Sequence, residues 1–226
     1  MKRRDIFFKI AFYIFTSMLF LACAAIVILF STGYKIDIKN REIFQTGIII
    51  IETDDNLGEI FLDDQSRGVG RVVLRNLNPG FYDINIRKDS YQTFKYNFYL
   101  NPGEAKIIDN IVLFLEKPVV AKFEEEKGIV FDRLSDTTGL LISNNELYLN
   151  DKYLTRFENK INDACWYPNE RFIGITIDDR FKMIDIEMQN IFDLFEKKSN
   201  KPAIFINSGK SVLYESDNVL YTAKIR

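Results

Sequence analysis

Histidine is absent from the 226-residue chain. Its absence excludes every Ser–His or Cys–His nucleophile pair and every His-ligated metal centre. Cysteine is nearly absent, with Cys23 and Cys165 alone. Two thiols cannot build a disulfide framework, and a thiolate zinc site needs about four ligands. No excess of charge of either sign is present, since 30 Lys and Arg stand against 32 Asp and Glu for a net of −2. What is there is a chain 47% hydrophobic and 27% charged, a balance that implies a globular protein and excludes wholesale disorder. Its length allows one large or two small domains.

Residues 1–9 read MKRRDIFFK, a basic leader in which Lys2, Arg3, Arg4 and Lys9 outweigh Asp5. Residues 10–30 follow without a single charge. At about 1.5 Å per residue that run spans roughly 31 Å, the thickness of a bilayer's hydrocarbon core. Positive charge on the N-terminal flank predicts that the leader stays in the cytoplasm and the remainder lies outside. From Ser31 onward, 26 basic residues face 31 acidic ones, so basic charge is concentrated on the inner end. Tyr34 and Lys35 stand where an interfacial anchor belongs.

Three fates of the apolar run compete. A cleaved signal peptide has an apolar region of about 7–15 residues and a small-residue cleavage site, whereas this run is longer and ends in Ile28-Leu29-Phe30. Phe20-Leu21-Ala22-Cys23 is similar to a bacterial lipobox, which would lipidate Cys23, but Phe20 departs from that pattern and seven more apolar residues follow. The preferred expectation is an uncleaved transmembrane helix, a signal anchor, with Cys23 as a small lipid-facing residue. A buried core helix would show a polar face at 3.6-residue spacing, and this run has none.

Residues 31–46 form a juxtamembrane segment. From Gly47 to Leu115 the pattern changes to short apolar runs separated by turn residues, the mark of antiparallel β structure. Strands are expected at Ile48–Ile51, Glu59–Leu62, Arg71–Leu77, Tyr82–Ile86, Phe94–Leu100 and Ala105–Leu115. Turns are expected at Asp63-Asp64-Gln65-Ser66, Asn78-Pro79-Gly80 and Asn101-Pro102-Gly103. Six strands within about 70 residues read as a small β-sandwich.

These residues carry a resemblance. Leu77-Asn78-Pro79-Gly80-Phe81-Tyr82-Asp83-Ile84-Asn85-Ile86, followed by an aromatic at Tyr91, resembles the PEGA domain, whose recurring core is a leucine, a Pro-Gly turn, a tyrosine and alternating aliphatics. Leu57-Gly58-Glu59-Ile60-Phe61-Leu62-Asp63 is similar to the family's earlier strand. The name-giving Pro-x-Gly-Ala is reduced to Gly58-Glu59, Gly-x-Thr-Pro is represented by Gly68-Val69-Gly70-Arg71, and Ser90 replaces the glycine before Tyr91. Thr32-Gly33-Tyr34-Lys35-Ile36-Asp37 also resembles membrane-anchored members. The resemblance, over residues 47–115, implies a β-rich extracytoplasmic attachment or recognition module, similar to parts of surface-layer proteins and without catalytic residues.

Residues 116–127, with Lys117-Pro118 and Glu124-Glu125-Glu126, read as a solvated linker, although Val119-Val120-Ala121 has strand character. In residues 128–226 the chain repeats. Ala164–Ile186 and Ala203–Ile225 align without a gap at an offset of 39 residues. A looser third copy runs from Ile129 to Leu149, with turns at Ser135-Asp136 and Asn144-Asn145-Glu146. A period near 40 with three or four strands per unit resembles a propeller blade, and the expectation is an open, blade-like β-meander whose free edges permit self-association.

Candidate chemistry is sparse. Asp54-Asp55, Asp63-Asp64 and Asp178-Asp179 are paired carboxylates, but neighbours along a strand point to opposite faces, and turn capping accounts for them better than glycoside hydrolysis. Asp54-Asp55-Asn56 lacks the spacing of a calcium loop. Gly209-Lys210-Ser211 is similar to the end of a phosphate-binding loop, yet Ile204 occupies the place of its first glycine and Val212-Leu213-Tyr214 reads as strand rather than helix. Trp166 and Tyr167 are able to stack on a sugar or peptide, with core packing the better reading. Cys165 reads as a buried small hydrophobe. The cluster Lys197-Lys198 with Lys201 is too short for a nucleic-acid face on a net-acidic exported part. No catalytic, cofactor-binding or metal-ligating residue is singled out, and no cofactor is expected.

The sequence therefore predicts an all-β exported region behind one transmembrane helix. The expected role is non-enzymatic binding at the cell envelope. The partners are the lipid bilayer through residues 10–30, with cell-wall glycan, a surface layer or another envelope protein on the outside, and no nucleic acid. The alternative is a membrane-tethered glycan hydrolase whose distant carboxylates are brought together by the fold.

Overall fold

A computed structural model of the chain describes residues 2–37, 42–53, 58–123 and 136–226. Among the described residues one helix, α1 (Lys2–Ser31), is followed by β-strands alone. Its segment Phe8–Ser31 has a mean hydropathy of 2.5, is unburied over its apolar window, and is long and apolar enough to cross a membrane. The helix ends where polar residues replace the aliphatic run. The Thr32 hydroxyl donates to Ile28 O at 2.8 Å and Leu29 O at 3.0 Å, and Ser31 Oγ donates to Ile28 O at 2.9 Å. These bonds satisfy terminal carbonyls that the helix itself cannot. Gly33 then takes φ +83°, the left-handed position that stops a helix most cheaply.

The chain divides into two compact units, one comprising Met1–Ile50, Val73–Phe81 and Tyr99–Ile107, the other Ile51–Val72, Tyr82–Phe98 and Ile108–Arg226. In the first, α1 leads into a hairpin of β1 (Tyr34–Asp37) and β2 (Glu42–Gln45), paired from Tyr34↔Gln45 to Asp37↔Glu42.

Seven strands follow between residues 47 and 111: β3 (Gly47–Thr53), β4 (Glu59–Leu62), β5 (Gln65–Val69), β6 (Arg71–Leu77), β7 (Gly80–Arg87), β8 (Phe94–Leu100) and β9 (Ala105–Ile111). They make a three-stranded sheet in the order β6-β3-β9 and a four-stranded sheet in the order β5-β4-β7-β8. The apolar residues of alternating strands are buried, with Ile60, Ile84, Ile86, Phe94 and Leu100 fully inside. One strand more is present than the apolar pattern predicts. β5 (Gln65–Val69) is exposed along its whole length, so it carries no apolar alternation, and backbone pairing with β4 holds it in place.

The remaining strands are β10 (Val119–Lys122), β11 (Leu140–Ser143), β12 (Glu146–Leu149), β13 (Lys152–Arg156), β14 (Ile161–Trp166), β15 (Phe172–Ile177), β16 (Arg180–Asp185), β17 (Ile191–Glu196), β18 (Ile204–Ile206), β19 (Ser211–Ser216) and β20 (Val219–Lys224). They form three sheets ordered β11-β12-β13, β14-β15-β16-β17 and β10-β20-β19-β18. Strands β15 and β16 and strands β19 and β20 stand 39 residues apart, end for end. Their hairpin turns match too, with positive φ at Asp178 and Asp179 and again at Asp217 and Asn218. Among the described residues the strands close neither a barrel nor a propeller.

The segment expected as a linker contributes β10, which pairs antiparallel with β20 from Val119↔Lys224 to Lys122↔Tyr221. That pairing covers one edge of β20, so the last strand is not an open edge. The core of the second unit joins residues from both sides of this segment. Phe114 lies fully buried within 5.2–5.7 Å, ring to ring, of Phe172, Phe192 and Tyr167, and Phe94 meets Phe172 edge-on at 6.4 Å. The acidic run Glu124-Glu125-Glu126, the pair Asp54-Asp55 and the first part of the third repeat copy lie outside the described residues.

Candidate functional site

Among the described residues, four places concentrate polar or aromatic groups. The first is a collar at the C-terminal end of α1. The Lys35 ammonium donates to Asn76 O at 2.7 Å and to Asn78 Oδ1 at 3.4 Å, tying β1 to the Asn78-Pro79-Gly80 turn. Gln45 Nε2 donates to Thr32 O at 3.1 Å, and Gly103 N donates to Gln45 O at 3.3 Å, so the Asn101-Pro102-Gly103 turn meets the same hairpin. Both Pro-Gly turns therefore gather at the helix end. Beside the helix end lies a polar recess of about 300 Å³ lined by Thr32, Gln45, Arg75, Asn76 and Glu104. Two aromatic residues beside these turns are exposed, Phe81 at 82% and Tyr99 at 47%, in an edge-to-face pair with ring centroids 5.0 Å apart.

The second place is the outer edge of β8. Asn190 Nδ2 donates to Lys95 O at 2.8 Å, and its Oδ1 accepts from Lys95 N at 2.9 Å. Gln189 repeats the arrangement on Asn97, accepting from N at 2.6 Å and donating to O at 3.1 Å. Two side-chain amides thus take the place of a neighbouring strand. Asp185, fully buried, accepts from Gln189 N at 2.9 Å and from Asn190 Nδ2, which fixes the turn that presents them.

The third is a buried ion pair. Lys197 Nζ donates to Asp163 Oδ2 at 2.6 Å and to Ser199 O at 2.9 Å, with the lysine fully buried and the aspartate 6% exposed. Burial pushes the Asp163 carboxyl upward from its ordinary range, and the Lys197 charge and, more weakly, the Thr176 hydroxyl pull it back. The sequence places Lys197 in a short basic cluster, and the structure places it in the interior. Nothing in the local composition marks it, because its partner lies 34 residues away. Lys198 and Lys201 pair with Glu196 and Glu215, each at 2.6 Å, so the cluster presents no unneutralised basic face.

The fourth is a shallow recess of about 140 Å³ lined by Asp136, Trp166, Tyr167, Pro168, Glu170 and Phe205. Trp166 Nε1 donates to Thr138 O at 2.8 Å, and its ring packs on a cluster containing Ile173, Ile175 and Ile184. Tyr167 is buried, its hydroxyl donating to Gly209 O at 3.3 Å and accepting from Arg226 Nη1 at 3.0 Å. Cys165 in the same strand is buried, and Cys23 is exposed on α1.

The paired carboxylates sit in turns. Asp63 and Asp64 take φ of 49° and 59° between β4 and β5. Asp63 Oδ1 accepts from Asp83 N at 3.0 Å, and Asp64 pairs with Arg87 at 3.2 Å. Asp178 and Asp179 take φ of 54° and 55° between β15 and β16, and Asp178 Oδ2 accepts from Asn159 Nδ2 at 3.0 Å. These are the left-handed positions of two-residue hairpin turns, where Asp and Asn are favoured. Gly209 lies in the turn before β19, which begins at Ser211, so a strand follows Gly209-Lys210-Ser211. Among the described residues no group of three or more Cys, Asp or Glu is placed to hold a metal ion. No protein-family model matches this chain, and no curated protein matches it.

Proposed function

We propose that the chain is a single-pass membrane protein whose β-rich part lies outside the cytoplasm and binds, without catalysis, to another component of the cell envelope. The observation that carries this reading is α1, whose segment Phe8–Ser31 is long and apolar enough to cross a membrane and whose apolar window is unburied. A long apolar helix whose sides are left unburied by the rest of the chain has its lowest free energy in lipid. The basic leader sets the orientation, with the N-terminus in the cytoplasm and the remainder outside.

Residues 47–115 are read as a PEGA-like β-sandwich, supported by the strands on either side of the Asn78-Pro79-Gly80 turn and by the burial of Ile84 and Ile86. Residues 128–226 are read as blade-like repeats, supported by the 39-residue spacing of their hairpins. Their partner is cell-wall glycan, a surface layer or another envelope protein. The hydrolase alternative finds little support in the carboxylates. Asp63-Asp64 and Asp178-Asp179 are engaged in turns, and the carboxyl pushed upward among the described residues, Asp163, is sealed against Lys197.

Protease shaving of intact cells that produce the full chain, tagged at both ends, tests the topology. Loss of the C-terminal tag with survival of the N-terminal tag is the expected outcome. The reverse pattern overturns it.

A further inference from the structure

The collar at the end of α1 leaves an aromatic pair in water for which the fold has no use. Phe81 is 82% exposed, the highest value among the described large apolar side chains outside the helix, and Tyr99 lies against it edge-on. Ile36 and Ile43 on the β1–β2 hairpin are exposed at 52% and 62%, next to an exposed Phe30 at the last turn of the helix. These side chains belong to the same compact unit as the helix. Lys35, four residues beyond Ser31, holds Asn76 and Asn78, and Asn78 is three residues from Phe81. Three residues span at most about 10 Å, and the polar interfacial layer of a bilayer is about 5–8 Å deep on each side of the hydrocarbon.

We propose that Phe81 and Tyr99 form a second membrane contact, seated in the interfacial layer of the leaflet from which α1 emerges. The inference rests on the spanning reading of α1. The occupant is lipid because the pair stands in the same compact unit as α1, beside the turn that Lys35 ties to the helix end. Tyrosine, with an apolar ring and a polar hydroxyl, suits that layer. Two aromatic side chains and a short hairpin are too small a patch for a stable protein–protein interface, which takes about 800 Å² per partner. Seating the pair removes Phe81 from water and holds the collar against the membrane, so the β-rich part is tethered at two points instead of one.

Tryptophan quenching tests this in the full chain, reconstituted in phosphatidylcholine nanodiscs with brominated acyl chains. The background is Trp166→Phe, and single tryptophans are introduced as Phe81→Trp, Phe20→Trp in mid-helix and Tyr153→Trp on an exposed strand position. The expected result is that Phe20→Trp loses more than about half of its emission on bromination, Phe81→Trp about a third, and Tyr153→Trp less than about a tenth. Quenching of Phe20→Trp with Phe81→Trp as bright as Tyr153→Trp overturns the second contact and leaves the spanning helix standing. No quenching at Phe20→Trp overturns both. Emission of Phe81→Trp that follows the number of chains per disc and ignores bromine assigns the pair to a second copy, and also overturns the proposal.

Discussion

The side-chain amide of Asn190 pairs with the backbone of Lys95 through two hydrogen bonds, at 2.8 and 2.9 Å, as a neighbouring strand would. Lys95 lies on β8, the last strand of its sheet, where the backbone groups pointing outward have no strand partner. Such an edge invites pairing with another chain. Asn190 and Gln189 fill it with amides that have the donor and acceptor spacing of a peptide group. The geometry explains why two carboxamides stand together in the turn between β16 and β17.

Removing this clamp has a measurable cost. Asn190 is buried, so Asn190→Ala leaves Lys95 N and O without partners in a place water reaches poorly. The expected loss is about 2–3 kcal/mol. Gln189 is exposed, water replaces its bonds, and Gln189→Ala costs about 1 kcal/mol or less. Urea unfolding of the detergent-solubilised full chain checks the order. Equal losses for the two variants would show that burial does not set the cost.

Phe114 and Phe81 are chemically identical and differ only in surroundings. Phe114 is fully buried among the three aromatic rings of Tyr167, Phe172 and Phe192, and Phe81 stands in solvent apart from Tyr99. Phe114→Ala is expected to cost about 3–5 kcal/mol, since it empties a cavity that rigid rings close poorly. Phe81→Ala in detergent is expected to stay within about 0.5 kcal/mol of the parent. A comparable destabilisation by both would place Phe81 in the folded core.

The elements easiest to read from the sequence are those in which apolar alternation and turn residues agree. Glu59–Leu62, Arg71–Leu77 and Phe94–Leu100 form strands with those bounds. β5 escaped because both of its faces are wet, and β10 was ambiguous because its exposed Val119 and Val120 show no alternation. The hairpin aspartates were legible from turn chemistry alone. The partnerships that matter most were not, because Lys197 with Asp163 and Asn190 with Lys95 are 34 and 95 residues apart, and local pattern carries no information over that distance.

Gly174 sits inside β15 where a Cβ would come within 2.5 Å of Phe181 Cζ and 3.1 Å of Phe205 Cζ. Both rings are held by neighbours, Phe181 stacking on Phe195 at 5.1 Å and Phe205 meeting Tyr167 at 5.1 Å. Gly174→Ala is therefore expected to cost about 2–3 kcal/mol despite the better strand propensity of alanine. A melting temperature within one degree of the parent would mean the rings yield freely. Gly174→Ala combined with Phe205→Leu separates the two, since the smaller side chain should recover part of the loss.

The Asp163–Lys197 pair makes stability depend on pH with a sign opposite to that of an exposed salt bridge. Burial raises the folded-state pKa of Asp163 above its ordinary value of 3.8. The folded chain then binds a proton at pH values where the unfolded chain has lost it. Stability contributed by this group is present below the unfolded pKa, falls as pH rises from about 4 towards the folded pKa, and is constant above it. Asp163→Asn removes the titration while keeping shape and hydrogen-bonding capacity. The difference in unfolding free energy between the parent and Asp163→Asn is thus expected to shift against the parent across that window and then level off, because groups remote from the pair titrate alike in both chains. Parallel urea series at half-unit steps from pH 4 to pH 8 measure it. A difference that instead grows in favour of the parent as pH rises would mean that the Lys197 charge outweighs desolvation, and that the pair acts as an ordinary stabilising ion pair.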